Sequence, residues 1–172
     1  TAHIKTPVAN WVLQSPLQVA LSRALTTLTL SEQCWLADKQ GMLCTAATRL
    51  NQSQGELALT LKNFPTQKLE PYLPERLAWI SELNATGRVG WHKQIPTAEL
   101  TLTAEPGKLI ADRFETQYDA LQLKARLEEQ QADFSLHFAS RQLGKADIQL
   151  QVDEPMKARK LSGNVDISGL RL

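Results

Sequence analysis

Three consecutive segments between Leu121 and Val152 carry their apolar residues in one shared register, and this constrains the fold more than any other feature of the chain. Leu121, Leu123, Ala125 and Leu127 alternate with Gln122, Lys124 and Arg126. Alternation of this kind puts each set on its own face of a β-strand. After the polar stretch Glu128 to Gln131, the apolar positions are Ala132, Phe134, Leu136 and Phe138. Folding there so that Leu127 meets Ala132 also sets Ala125 against Phe134, Leu123 against Leu136 and Leu121 against Phe138. A second turn at Ser140 to Gly144 sets Phe138 against Ala146, Leu136 against Ile148, Phe134 against Leu150 and Ala132 against Val152. A slip of one residue would send every apolar side chain to the wrong face, so the agreement across both turns fixes an antiparallel pairing. The opposite face agrees as well, with Arg126 against Asp133 and His137 against Asp147.

Shorter runs repeat the pattern: Leu17, Val19 and Leu21; Leu28 and Leu30; Leu57, Leu59 and Leu61; Leu100 and Leu102. Thr, Gln and Ser fill most of the alternate positions and suit a solvated strand face. The expected class is all-β, mainly antiparallel. One segment departs from it. Pro65 to Ile80 spaces Leu69, Leu73, Leu77 and Ile80 as a helix would, interrupted by Pro71 and Pro74. That predicts short helical turns near residues 65–82, with Pro74 opening a second turn and with Tyr72 and Trp79 packed on the sheet.

Cys34 and Cys44 flank Asp38 to Gly41. A hairpin folded about Lys39 sets the two cysteines opposite each other, at a spacing close to what a disulfide needs. The alternative is a pair of buried free thiols. A disulfide would imply an oxidising compartment. His3, His92 and His137 have no metal-ligand spacing to either cysteine, so no metal site is assigned.

No catalytic constellation stands out. Gly87-Arg88-Val89-Gly90 is too short for a phosphate loop and leads into strand-like sequence, so these glycines read as a bend or bulge in a strand. The serines lack a glycine-framed elbow, and no two carboxylates are placed as an acid–base couple. His137 beside Asp147 has no nucleophile with it and reads as a surface pair. Asp153 to Lys160 reads as a loop in which Lys157, Arg159 and Lys160 form a small, solvated basic cluster. No cofactor is called for.

The chain has 172 residues, a hydrophobic fraction of 42% and a net charge of +1. That is enough for one domain with a core, and the near-neutral net charge gives no strong field to draw DNA, RNA or an acidic membrane surface. No apolar run approaches the roughly 20 residues that span a bilayer. The chain starts at Thr1, and Asn164 to Leu172 still alternate like a strand, which predicts one segment, residues 1–172, of a longer protein. The apolar face admits two readings: the core of a closed sandwich, as in an adhesin or carbohydrate-binding module, or the lining of an open groove. Composition alone favours the closed core; the aliphatic bias, with aromatics at only 6% of the chain, argues weakly for the groove.

Several stretches, in order, resemble the TamB family of the bacterial translocation and assembly module, and more broadly the AsmA-like proteins. They are the two-cysteine element, Leu57 to Leu61 with Asn63-Phe64-Pro65, Leu69-Glu70-Pro71-Tyr72-Leu73-Pro74, and Ala85-Thr86-Gly87-Arg88-Val89-Gly90-Trp91 followed by Ile95-Pro96 and Ala98 to Leu102. Leu161-Ser162-Gly163-Asn164-Val165-Asp166-Ile167 repeats the Gly-x-Val element. The likeness runs from about Leu13 to Leu172 and suggests a piece from the C-terminal half of such a protein. It implies a non-enzymatic, periplasm-spanning β-structure anchored in the inner membrane: a curved, incompletely closed sheet, or β-taco, around an apolar groove. The implied partners are an Omp85-type outer-membrane barrel, TamA, and phospholipid acyl chains or nascent outer-membrane proteins. The implied role is assembly of autotransporters and other outer-membrane β-barrels, movement of phospholipid between the membranes, or both. On that reading the groove is lined by Leu57, Leu59, Leu61, Leu100, Leu102, Leu121, Leu123, Phe134, Leu136, Phe138, Ile148, Leu150, Val165 and Ile167. A strand chaperone that pairs its sheet edge with incoming chains is a third possibility.

Overall fold

A computed structural model describes residues 2–38, 40–153 and 160–169. The strands are β1 (His3–Lys5), β2 (Asn10–Leu13), β3 (Val19–Leu21), β4 (Thr27–Leu30), β5 (Gln33–Ala37), β6 (Met42–Thr45), β7 (Thr48–Asn51), β8 (Gln54–Pro65), β9 (Leu77–Ile80), β10 (Glu82–His92), β11 (Ile95–Ala104), β12 (Gly107–Ala111), β13 (Phe114–Tyr118), β14 (Ala120–Glu128), β15 (Gln131–Ser140), β16 (Gly144–Asp153) and β17 (Lys160–Ser168). Every pairing is antiparallel. An 11-stranded sheet runs in the order β1-β2-β5-β6-β8-β10-β11-β14-β15-β16-β17, and its outer strands do not pair with each other. The result is an all-β, open sheet rather than a closed barrel or sandwich. Two 3-stranded sheets flank it, β13-β12-β9 and β3-β4-β7.

The register read from the sequence for β14, β15 and β16 is the one observed, from Leu127 opposite Ala132 to Leu136 opposite Ile148. On the outer face Arg126 stands opposite Asp133, but its guanidinium pairs with Glu128 while Asp133 accepts from Gln131 Nε2 at 2.8 and 3.0 Å. Same-strand neighbours on one face compete well with cross-strand ones for long side chains. His137 Nδ1 does meet Asp147 Oδ1, at 2.6 Å on the exposed outer face.

Among the described residues, helical structure is confined to a 3-10 helix at Thr66–Tyr72. Leu77 and Ile80, spaced as if on a helix, belong instead to strand β9, which pairs with β12. Pro74 accounts for the stop: it biases the preceding residue toward extended backbone, and Leu73 takes φ −82° and ψ 155°, whereas Pro71 is accommodated inside the 3-10 helix. In β9 the alternation of half-buried Leu77 and Trp79 with exposed Ala78 and Ile80 is that of a strand. Trp79 packs as expected, but Tyr72 is 63% exposed and covers nothing.

Gly87 and Gly90 sit in regular register in β10. The irregularity lies nearby, where Lys62 and Asn63 of β8 together stand against Asn84. Asn63 takes φ +52°, tolerable for Asn, and its N–H donates to Asn84 Oδ1 at 3.0 Å. Without the bulge Phe64 would fall on the outer face. With it, Phe64 lies opposite Leu83 and is 4% exposed. Phe64 and Leu83 then join Ala9, Ala37, Ala104 and Tyr118 in the core, with Trp11 stacked on Phe64 at 5.9 Å between ring centroids.

Polar groups fasten the β9-β12-β13 sheet internally, to the 3-10 helix, and through Ser140 of β15 to the large sheet. Thr66 Oγ1 accepts from Ser81 N at 2.8 Å and lies 2.6 Å from Trp79 O, to which it donates. Trp79 Nε1 donates to Tyr118 Oη at 2.8 Å. Ser140 Oγ donates to Gln117 O at 2.6 Å.

Cys34 lies opposite Cys44 and the two form a disulfide with their Cα atoms 4.1 Å apart. Lys39, about which that hairpin was expected to turn, lies outside the described residues, as do Pro155, Lys157 and Arg159 of the expected basic loop. Beside the turn, Asp38 accepts from Lys68 Nζ at 2.7 Å, Asn10 Nδ2 at 3.1 Å and Asn10 N at 3.2 Å. The Lys68 hydrogen bond, then those from Asn10, hold its carboxyl below the ordinary value. A carboxylate with a depressed folded-state pKa contributes stability above its unfolded pKa, and that share is lost as the pH falls through the folded value. A Lys68→Met variant is therefore expected to show a higher Asp38 pKa in an NMR titration. An unchanged Asp38 titration would mean that Lys68 does not hold the carboxylate.

Candidate apolar groove

Because side chains alternate, the strand register shows which residues share a face. One row runs across the sheet from Leu13 through Trp35, Leu43, Leu61, Ala85, Leu102, Leu123, Leu136 and Ile148 to Val165. Every member is apolar. On one side of it lies Phe64, Leu83, Ala104, Leu121, Phe138, Ala146 and Ile167. On the other side lies Leu59, Gly87, Leu100, Ala125, Phe134, Leu150 and Gly163, and beyond that Leu57, Val89, Ala98, Leu127, Ala132, Val152 and Leu161.

All the candidate lining positions named from the sequence fall on this one face. Sequence reasoning missed its extension onto the short early strands, through Leu13, Trp35 and Leu43. A signal was available, since setting Cys34 against Cys44 also sets Trp35 against Leu43. It also missed Phe64, whose position depends on the bulge. The disulfide itself faces the other way, because Cys44 lies opposite Thr60, on the outer side of β8.

The rows differ in cover. The row through Phe64, Leu83 and Ala104 contributes these three residues to the core, and Trp79, Leu109 and Tyr118 of the β9-β12-β13 sheet pack with them. The row through Leu100, Phe134 and Leu150 is open, at 39%, 41% and 38% exposure. A cleft of about 450 Å³ is lined by Leu100, Ala125, Phe134, Leu150 and Gly163 with their chain neighbours. Toward β17 the exposure rises, to 56% at Val165 and Ile167 and 70% at Leu161. At the far rim Trp91 lies over Gly55, where Leu50 also packs, and its Nε1 donates to Asn51 O at 3.1 Å. The apolar face therefore has a covered margin, an exposed middle and a second margin met by the β3-β4-β7 sheet.

Polar chemistry lies elsewhere. The outer face carries Lys124, Arg126, Asp133, Asp147 and His137 on the alternate positions. A larger cleft of about 1270 Å³ near the β9-β12-β13 sheet is lined by Lys62, Lys68 and Lys108 together with Glu82, Glu105 and Asp119, with no dominant charge. Among the described residues no cluster of His, Cys, Asp and Glu could hold a metal ion. No described helix is long and apolar enough to cross a membrane.

No solved structure matches the chain. A family model, TamB, N-terminal domain, matches residues 1–172. This corrects the expectation of a piece from the C-terminal half: the motifs behind that expectation are short strand and turn elements that a long, repetitive β-structure can present in more than one region. The open sheet and the family match together establish that the chain belongs to the TamB family, a non-enzymatic part of the translocation and assembly module that works with TamA in outer-membrane biogenesis.

Proposed function

We propose that residues 1–172 form one groove segment of a longer periplasm-spanning protein and that the apolar face is a lane for acyl chains. In this role the chain supports phospholipid movement between inner and outer membranes, and through it the assembly of autotransporters and other outer-membrane β-barrels. The observation that carries this reading is the exposure of Leu100, Phe134 and Leu150 in the middle of an otherwise continuous apolar face. A surface of that kind is an aggregation hazard unless something apolar occupies it. Each acyl CH₂ entering it from water gains about 0.8 kcal/mol, and no catalytic group is needed. A second reading, pairing of nascent barrel strands with the sheet edge, draws on β17, every residue of which is exposed.

The test is photo-crosslinking in cells from an unnatural residue at Leu136, with Ser135 on the outer face as control. Lipid adducts at Leu136 and none at Ser135 are the expected result. Adducts to outer-membrane protein chains would favour direct assembly, and no adducts at either site would count against an open lane.

A further inference from the structure

We infer that the β3–β4 hairpin is a lipid-interface foot, seating its Arg23–Leu25 tip in the headgroup layer of an anionic bilayer. Three observations lead there. Leu25, at the tip, is 73% exposed and holds φ +55°, a conformation that suits Gly or Asn and strains leucine. Among the described residues, none buries that side chain to repay the strain. The turn is nonetheless fixed: Leu25 N donates to Ser22 O at 2.8 Å, and the Thr26 and Thr27 N–H groups donate to Ser22 Oγ at 3.1 Å. A rigid loop thus presents an apolar side chain to the outside.

The second observation is the apolar surface behind the tip. Val19 and Leu21 are each 56% exposed and Leu17 42%. The third is charge. Between Thr6 and Ser31 the single charged residue is Arg23. The β3-β4-β7 sheet adds Arg49 from β7, which stands opposite Thr29 and so on the other face from Leu21 and Leu28; both arginines are exposed. The ion pairs among the described residues involve neither. Exposed leucines beside the Arg23 cation, with no carboxylate in the hairpin, match the chemistry of an anionic lipid interface, where the leucines leave water and the guanidinium meets phosphate. A protein partner is a poorer fit, since the hairpin offers little of the charged, polar rim of a specific interface.

The experiment is flotation of the chain with vesicles of phosphatidylethanolamine and phosphatidylglycerol. Leu25→Gly removes the side chain and relieves the positive φ, so it is expected to melt no lower than the parent while partitioning about tenfold less. Arg23→Gln is expected to lower partitioning about fivefold on these vesicles and not on phosphatidylcholine alone. Arg113→Gln, the same charge change in the exposed β12–β13 turn, is expected to have no such effect. The proposal is overturned if the chain does not partition, if Leu25→Gly partitions as the parent does, or if Arg113→Gln matches Arg23→Gln. It is equally overturned if Leu25→Gly abolishes self-association in sedimentation with no loss on vesicles, which would make the hairpin a contact between copies of the chain.

Discussion

Truncating Tyr118 to alanine is expected to remove about 3–5 kcal/mol of folding stability, a large share of the roughly 5–15 kcal/mol a domain has. Tyr118 is 1% exposed. Its ring packs on Phe138 at 6.0 Å, and its hydroxyl accepts the Trp79 indole N–H at 2.8 Å. The variant loses the packing and leaves that N–H without its partner in a largely buried site, so transfer, cavity and desolvation costs add. Phe134→Ala supplies the contrast. Phe134 lies on the same apolar face but is 41% exposed, and its truncation is expected to cost about 1 kcal/mol. Urea unfolding of both variants measures the difference. Equal losses would mean that the face is a packed core and that the open-groove description is wrong.

That contrast also marks how far the sequence could be read. The pairing of β14, β15 and β16 was legible because long strands joined by short turns leave one register that satisfies every apolar residue. The cysteine hairpin was legible from spacing alone, since a turn about Lys39 sets Cys34 against Cys44. Phe64 was not, since a bulge of one residue inverts the parity on which period-two reading depends, and Asn63 is the only local trace of it. Nor was β9, because four apolar residues among prolines satisfy a helical spacing as well as a strand one, and tertiary pairing with β12 decides between them. The β9-β12-β13 cap is non-local: its fastening runs through Thr66, Trp79 and Tyr118, and no pattern along the chain brings those together. Which margin of the apolar face is covered was therefore invisible, although the face itself was not. The family resemblance was legible from ordered motifs, but its place along the parent protein was not, because short strand and turn elements recur in a long β-structure.

If the apolar face is the acyl lane proposed above, Leu150→Arg stops its function in cells while leaving the fold within about 1 kcal/mol of the parent. Position 150 is 38% exposed, between Phe134 on β15 and Gly163 on β17. Its side chain can therefore carry a guanidinium to water along an apolar stem, which a buried position could not allow. The same head group stands in the middle of the open floor, where an acyl chain would have to pass it. An apolar chain pressed against an ion strips its hydration at a cost of several kcal/mol, against about 0.8 kcal/mol recovered per CH₂. The variant should lose complementation of a deletion strain, and lipid crosslinks from Leu136 should fall with it. Gln149→Arg puts the same charge one residue away on the outer face, and there both readouts should stay at the parental level. Chemical denaturation of both variants separates a blocked lane from a damaged fold. If Leu150→Arg folds normally and complements fully, acyl chains do not travel along this face, and the reading that remains is a sheet whose edge, rather than its floor, receives the cargo.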